Sequence, residues 1–109
     1  MSNQSIPRNE QRQLVELPAN CRTQSGLRGS GRISDISAQG CCIATNGLFV
    51  RVGLKVVIRP EGLEGLTGTV RWINGERAGI EFDNPLYEPV VDHLARIHAA
   101  GEDVRIDTL

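Results

Sequence analysis

Aromatic side chains are scarce in this sequence: one Trp, one Tyr and two Phe make up 4% of the chain. A barrel that stacks single-stranded nucleic acid draws on several aromatics in a basic groove, and a chain of net charge -1 with a pI near 6.1 supplies neither. A nucleic-acid polymer is therefore not the expected partner, and any anionic ligand should be small. Long apolar runs are also missing. The longest span only a few residues, far below the roughly 20 needed to cross a bilayer, so membrane insertion is not expected. Residues 1–7 are polar and lack the basic start and apolar stretch of a secretion signal, which makes the cytoplasm the expected location. Cysteine is sparse and odd in number: Cys21 stands alone, while Cys41 and Cys42 are neighbours whose side chains would leave a strand on opposite faces. No disulfide framework follows, and with no Cys-x-x-Cys pair there is no zinc or redox signature. Cys21 and Cys41 read as small buried side chains.

Catalytic patterns are equally thin. Ser37 lacks the Gly-x-Ser-x-Gly elbow of a hydrolase and has no histidine near it in sequence. His93 and His98 fall on a predicted helix, where a spacing of five separates them by about 140° and makes them poor joint metal ligands. The expectation is a non-enzymatic binding module without metal or cofactor.

What is present is strand alternation. The length of 109 residues suits one domain. Val15, Leu17, Ala19 and Cys21 alternate with polar residues, and Pro18, which cannot donate a ladder hydrogen bond, suits an edge or a bulge. Leu27, Gly29, Gly31 and Ile33 form a second alternating run. Residues 35–40 read as a turn, followed by short strands over 41–45 and 55–59. Residues 67–73 and 78–82 flank an Asn74-Gly75 pair, a strong hairpin signal, and Val70, Trp72, Ile80 and Phe82 are expected to line one interior. Only the end changes period: Pro89 suits a first helical position, and Val90, Val91, Leu94 and Ile97 predict an amphipathic helix over 89–100, closed by Gly101. About six strands and one helix predict an all-β closed antiparallel barrel with a helix on one side or end. Residues 1–7 read as a flexible N-terminal arm, 8–100 as the domain and 101–109 as a loose tail.

Two polar clusters stand apart from the structural pattern: Arg8 and Arg12 on the arm side, and Asp35, Ser37 and Gly40 in the turn. They are chemically complementary. A guanidinium bridges the N7 and O6 acceptors of guanine, pairs with phosphate in a forked geometry, and stacks on a base. A carboxylate such as Asp35 accepts from the N–H donors of the opposite guanine edge. Ser37 offers a short hydroxyl, Gly40 lets backbone approach a ligand, and Ile36 should point inward to anchor the turn. Taken singly, two arginines four apart are common on solvated surface, and Asp-x-Ser turns are common caps. Arg22, Arg28, Arg32 and Arg71 could add charge near the site or be ordinary exposed strand residues.

Read together, Arg8-x-x-x-Arg12 and Asp35-x-Ser37-x-x-Gly40 resemble the two motifs of the PilZ domain family, and the residues 70–72 and 78–82 resemble its late strands. The likeness covers roughly residues 8 to 98. It implies a six-stranded antiparallel barrel of split-barrel type with one C-terminal helix, and as ligand the bacterial second messenger cyclic di-GMP. Arg8 and Arg12 would then hold phosphates and guanine, Asp35 and Ser37 the base and nearby groups, and Gly40 would keep the pocket open. Pro7 stands where many relatives carry another long side chain, which leaves the number of ligands bound open. The expected role is a small receptor whose arginine arm folds over the ligand and changes the surface offered to a downstream protein. The alternative is an adaptor of the same family that acts without nucleotide.

Overall fold

The structure is a computed structural model and describes residues 12–46 and 51–99. Alternation becomes strand wherever one face can be buried. In β1 (Gln13–Thr23) every second residue from Val15 to Thr23 is buried and those between are exposed. It is followed by β2 (Arg28–Ile36), β3 (Gly40–Thr45), β4 (Lys55–Pro60), β5 (Leu66–Asn74), β6 (Arg77–Phe82) and α1 (Glu88–Ile97). The six strands close an antiparallel barrel in the order β1-β2-β3-β6-β5-β4, so the expected fold class is the observed one. Leu17, Ile33, Ile43, Ile58 and Val70 fill the centre with no exposed surface.

Three details depart from the sequence reading, each for a physical reason. Asp35 and Ile36 continue β2, paired to Cys42 and Cys41, so the turn before β3 shrinks to residues 37–39. The helix ends at Ile97 rather than near residue 100. There the His98 carbonyl accepts from the Glu16 amide and Ala99 bridges Val15. That pairing satisfies the first half of β1, which the shorter β4 reaches only from Ala19 onward. Finally, Trp72 is not in the interior: Val70, Ile80 and Phe82 are buried, but Trp72 is 44% exposed. The register shifts between Val70 and Trp72, so Arg71 is an extra residue and the side chain after it turns outward.

Pro18 fits because its carbonyl accepts from the Glu61 amide beyond the last residue of β4. Its missing donor therefore faces that local edge and not the β2 ladder. The β5–β6 hairpin turns on Gly75 and Glu76, with Gly75 at φ +65°. In α1, Pro89 sits in the first turn with Glu88, Arg96 lies in the last, and Val91 and Leu94 cover the barrel.

Candidate functional site

Strict period-two alternation would bury both Asp35, two residues after the fully buried Ile33, and Trp72, two residues after Val70. A bulge prevents each. Between Ile33 and Asp35 the pairing to β3 slips by one at Ser34, and between Val70 and Trp72 the pairing to β6 slips by one at Arg71. A third register shift lies in β1 between Leu14 and Leu17, opposite the same part of β2. Two bulges thus rotate a carboxylate and an indole onto the outer wall.

They arrive in one row. Asp35 is opposite Cys42, Cys42 is opposite Gly79, and Gly79 is opposite Trp72, across β2, β3, β6 and β5. Neighbouring strands are about 4.8 Å apart, so the row spans roughly 14 Å between the Asp35 and Trp72 backbones. It forms the floor of a cleft of about 450 Å³ whose walls include Arg12, Gln39, Gly40, Arg71 and Glu81. Two larger surface clefts, of about 530 and 610 Å³, lie on other parts of the wall. Volume therefore does not single this one out; the chemistry of its lining does.

The charges in the cleft are mutually engaged. Arg12 Nη1 donates to Asp35 Oδ1 at 2.7 Å, with the guanidinium half exposed and the carboxylate mostly covered. Arg71 Nε pairs with Glu81 Oε1 at the bulge. Arg77 Nη2 donates to Cys42 Sγ at 3.4 Å, and that hydrogen bond holds the already cationic guanidinium further toward its charged form. Cys42 lies on the outer side of β3 yet is only 4% exposed, while Cys41 points into the core. Burial pushes the Cys41 thiol well above the usual thiol range and Cys21 up to about 11, so neither thiol is an accessible nucleophile near neutral pH.

Gly79 has a specific reason to be glycine: a Cβ there would overlap the Trp72 ring, so the indole lies flat over the strand. The missing side chain on β6 is the seat of the aromatic on β5.

Of the residues expected to form the site, Arg12, Asp35 and Gly40 come together in this cleft. Arg8 lies outside the described residues. Ser37 and Gly40, both expected to meet the ligand, have roles in the frame. Ser37 has no exposed surface, and its Oγ accepts from the Gln39 amide at 3.1 Å and the Gly40 amide at 3.3 Å. The Ser37 amide in turn donates to the Gly40 carbonyl at 2.8 Å. The hydroxyl thereby replaces water for the amides of a turn too tight to pair them otherwise. A Cβ on Gly40 would overlap the Ile80 carbonyl, so glycine allows β3 and β6 to meet rather than leaving space for a ligand.

Trp72, Glu81 and Cys42 were not read as site residues from the sequence, and Arg71 was named only as a charge that could lie near the site. A mid-strand glycine between Ala78 and Ile80, facing a strand with a lone Trp, was the available signal for a ring lying on backbone. Among the described residues, no group of His, Cys, Asp or Glu is arranged to hold a metal, and no helix is long and apolar enough to cross a membrane. His93 is exposed and His98 half-buried.

Residues 6–100 match the family model of the PilZ domain. No curated protein matches the chain. PilZ domains are generally cyclic di-GMP receptor domains, and they bind or adapt rather than catalyse.

Proposed function

We propose, for a chain that belongs to the PilZ domain family, that the cleft between Asp35 and Trp72 is a receptor site for cyclic di-GMP. The observation that carries this reading is the row itself: an acceptor-only carboxylate at one end, an indole at the other, and a glycine-thinned floor between them. A guanine edge with two N–H donors suits Asp35, and a purine face suits Trp72 or the Arg71 guanidinium. Base stacking on an aromatic contributes about 1–3 kcal/mol, and a charge-assisted hydrogen bond about 1.5–3 kcal/mol.

Binding on this reading is an exchange. Asp35 already accepts from Arg12, so the guanine edge takes the place of a guanidinium. Arg12 then turns to phosphate or to the O6 and N7 acceptors of the base, and Arg8, four residues earlier in the chain, supplies the second forked donor. The ion pair keeps a mostly covered carboxylate satisfied until the ligand arrives, and the half-exposed guanidinium can swing toward solvent as the guanine edge replaces it. Ser37 and Gly40 act through the frame by fixing the turn that follows Asp35 and the β3–β6 seam beneath the cleft. Closing of the arginine arm changes the surface beside the cleft, and that change is what a protein partner would read.

Calorimetric titration of the full chain with cyclic di-GMP tests the proposal. Saturable binding that Asp35→Asn weakens by roughly thirtyfold or more, about 2 kcal/mol, is expected. Binding of equal strength in the variant, or none up to high micromolar ligand, contradicts it.

A further inference from the structure

The wall formed by β4, β1 and β2 carries charge that no ion pair among the described residues engages. Arg22 stands directly opposite Arg28, and in the next row Ser30, Asn20 and Arg59 lie side by side, with Arg32 one row further along β2. All four arginines are exposed. Among the described residues none of the four makes an ion pair or a side-chain hydrogen bond, whereas Arg12, Lys55 and Arg71 each hold a carboxylate. Like charges directly opposite each other on neighbouring strands are destabilising. The cleft of about 610 Å³ on this wall is lined by Arg22, Arg28 and Arg59 together with small and polar side chains, and by no carboxylate at all. A chain of net charge -1 that concentrates unpaired arginines on one wall has an electrostatic address there.

We propose that this wall is a docking surface for an acidic, extended segment of a protein partner. Spacing decides the class. Along β2, Arg28, Ser30 and Arg32 repeat every second residue, about 6.8 Å apart, which is the spacing of same-face carboxylates on an extended acidic segment. Across the wall, Arg28, Arg22 and Arg59 span three strands, about 10 Å, so guanidinium groups are offered in two directions to several carboxylates at once. A lone phosphate would engage one or two of these guanidinium groups, whereas the four are spread over three strands and offer more donors than one small anion can use. A nucleic-acid strand would need stacking aromatics, and none lines this cleft. The inference does not rest on the nucleotide reading: Asp35 and Arg28 stand at opposite ends of β2, and no arginine of this wall lines the Asp35 cleft.

The test uses the full chain without nucleotide and a fluorescein-labelled dodecapeptide of alternating Asp and Ser, with an Asn-for-Asp peptide as control. Fluorescence anisotropy should show saturable binding of the acidic peptide only. It should weaken at least about tenfold in the Arg22→Gln/Arg28→Gln variant, as loss of two charge-assisted contacts requires. It should weaken again as salt rises and the Debye length falls below about 10 Å. Arg32→Gln/Arg59→Gln provides an independent second pair, and Arg12→Ala should bind the peptide as the parent does. Absence of saturable binding, parental affinity in both double variants, or loss on Arg12→Ala overturns the proposal. So does arginine-dependent binding to phosphatidylglycerol vesicles or to single-stranded RNA in preference to the peptide.

Discussion

Strand β2 runs between two walls that handle charge in opposite ways. At its Asp35 end, Arg12, Arg71 and Arg77 are engaged by Asp35, Glu81 and the Cys42 sulfur. At its Arg28 end, Arg22, Arg28, Arg32 and Arg59 have no such partner among the described residues. If the paired wall is the proposed receptor site, a ligand would have to compete with Arg12 for Asp35, and that competition would favour donor-bearing edges. The unpaired wall offers charge without shape, which suits fast, salt-dependent association with an acidic surface.

The contrast can be broken first at Asp35. Asp35→Ala should abolish most nucleotide binding, by roughly thirtyfold or more, while costing the fold about 1 kcal/mol, because the guanidinium it pairs with is half exposed. Calorimetry and urea unfolding on the same sample separate the two. Ser37→Ala should do the reverse, removing the acceptor of two turn amides in a fully buried place and costing about 1–3 kcal/mol in urea unfolding. Gly79→Ala should push the indole off its seat, shifting the emission of the chain's single tryptophan and weakening ligand by about tenfold, the share of one stacked base. On the other wall Arg22→Gln should leave stability within about 0.5 kcal/mol, with any gain at low salt disappearing at high salt as the repulsion with Arg28 is screened.

The smallest effect concerns acid. The hydrogen bond from Lys55, at 2.9 Å, holds the Asp83 carboxyl below its ordinary value of 3.8. A depressed folded-state pKa contributes stability that is present above the unfolded value and lost as pH falls through the folded one. Asp83→Asn should therefore lose a little stability at neutral pH and flatten the profile below about pH 4, so that variant and parent converge in acid, as urea midpoints against pH would show.

How much of this was legible beforehand differs between wall and barrel. The strands were readable because Val15, Leu17, Ala19 and Cys21 keep a strict period of two on a half-buried surface, and the Asn74-Gly75 pair marks its own hairpin. The motif residues Arg12 and Asp35 were legible by residue type as a donor and an acceptor, and the fold brings the two together. Trp72 was not, and the reason is physical. A bulge at Arg71 shifts the period by one without any change in composition, so a residue patterned for the core faces outward. The same device at Ser34 keeps Asp35 outside, and there the polarity of Asp hid the irregularity. Ser37 and Gly40 stand out in the sequence, and what the fold asks of them is backbone: two amides to satisfy and a carbonyl at Ile80 to clear. The helix end was missed because its stop is tertiary, the pairing of Ala99 to Val15, and not the glycine that follows.

Because Trp72 is the only tryptophan and forms one end of the row, its fluorescence reports on the cleft without a label. Titration of the full chain with cyclic di-GMP should change that emission along a saturable curve with the same midpoint as the calorimetric heat, and Asp35→Ala, at the far end of the row, should remove the change. A heat of binding with no change at Trp72, or an emission change that persists undiminished in Asp35→Ala, would contradict the account that two bulges aim one carboxylate and one indole at a single ligand.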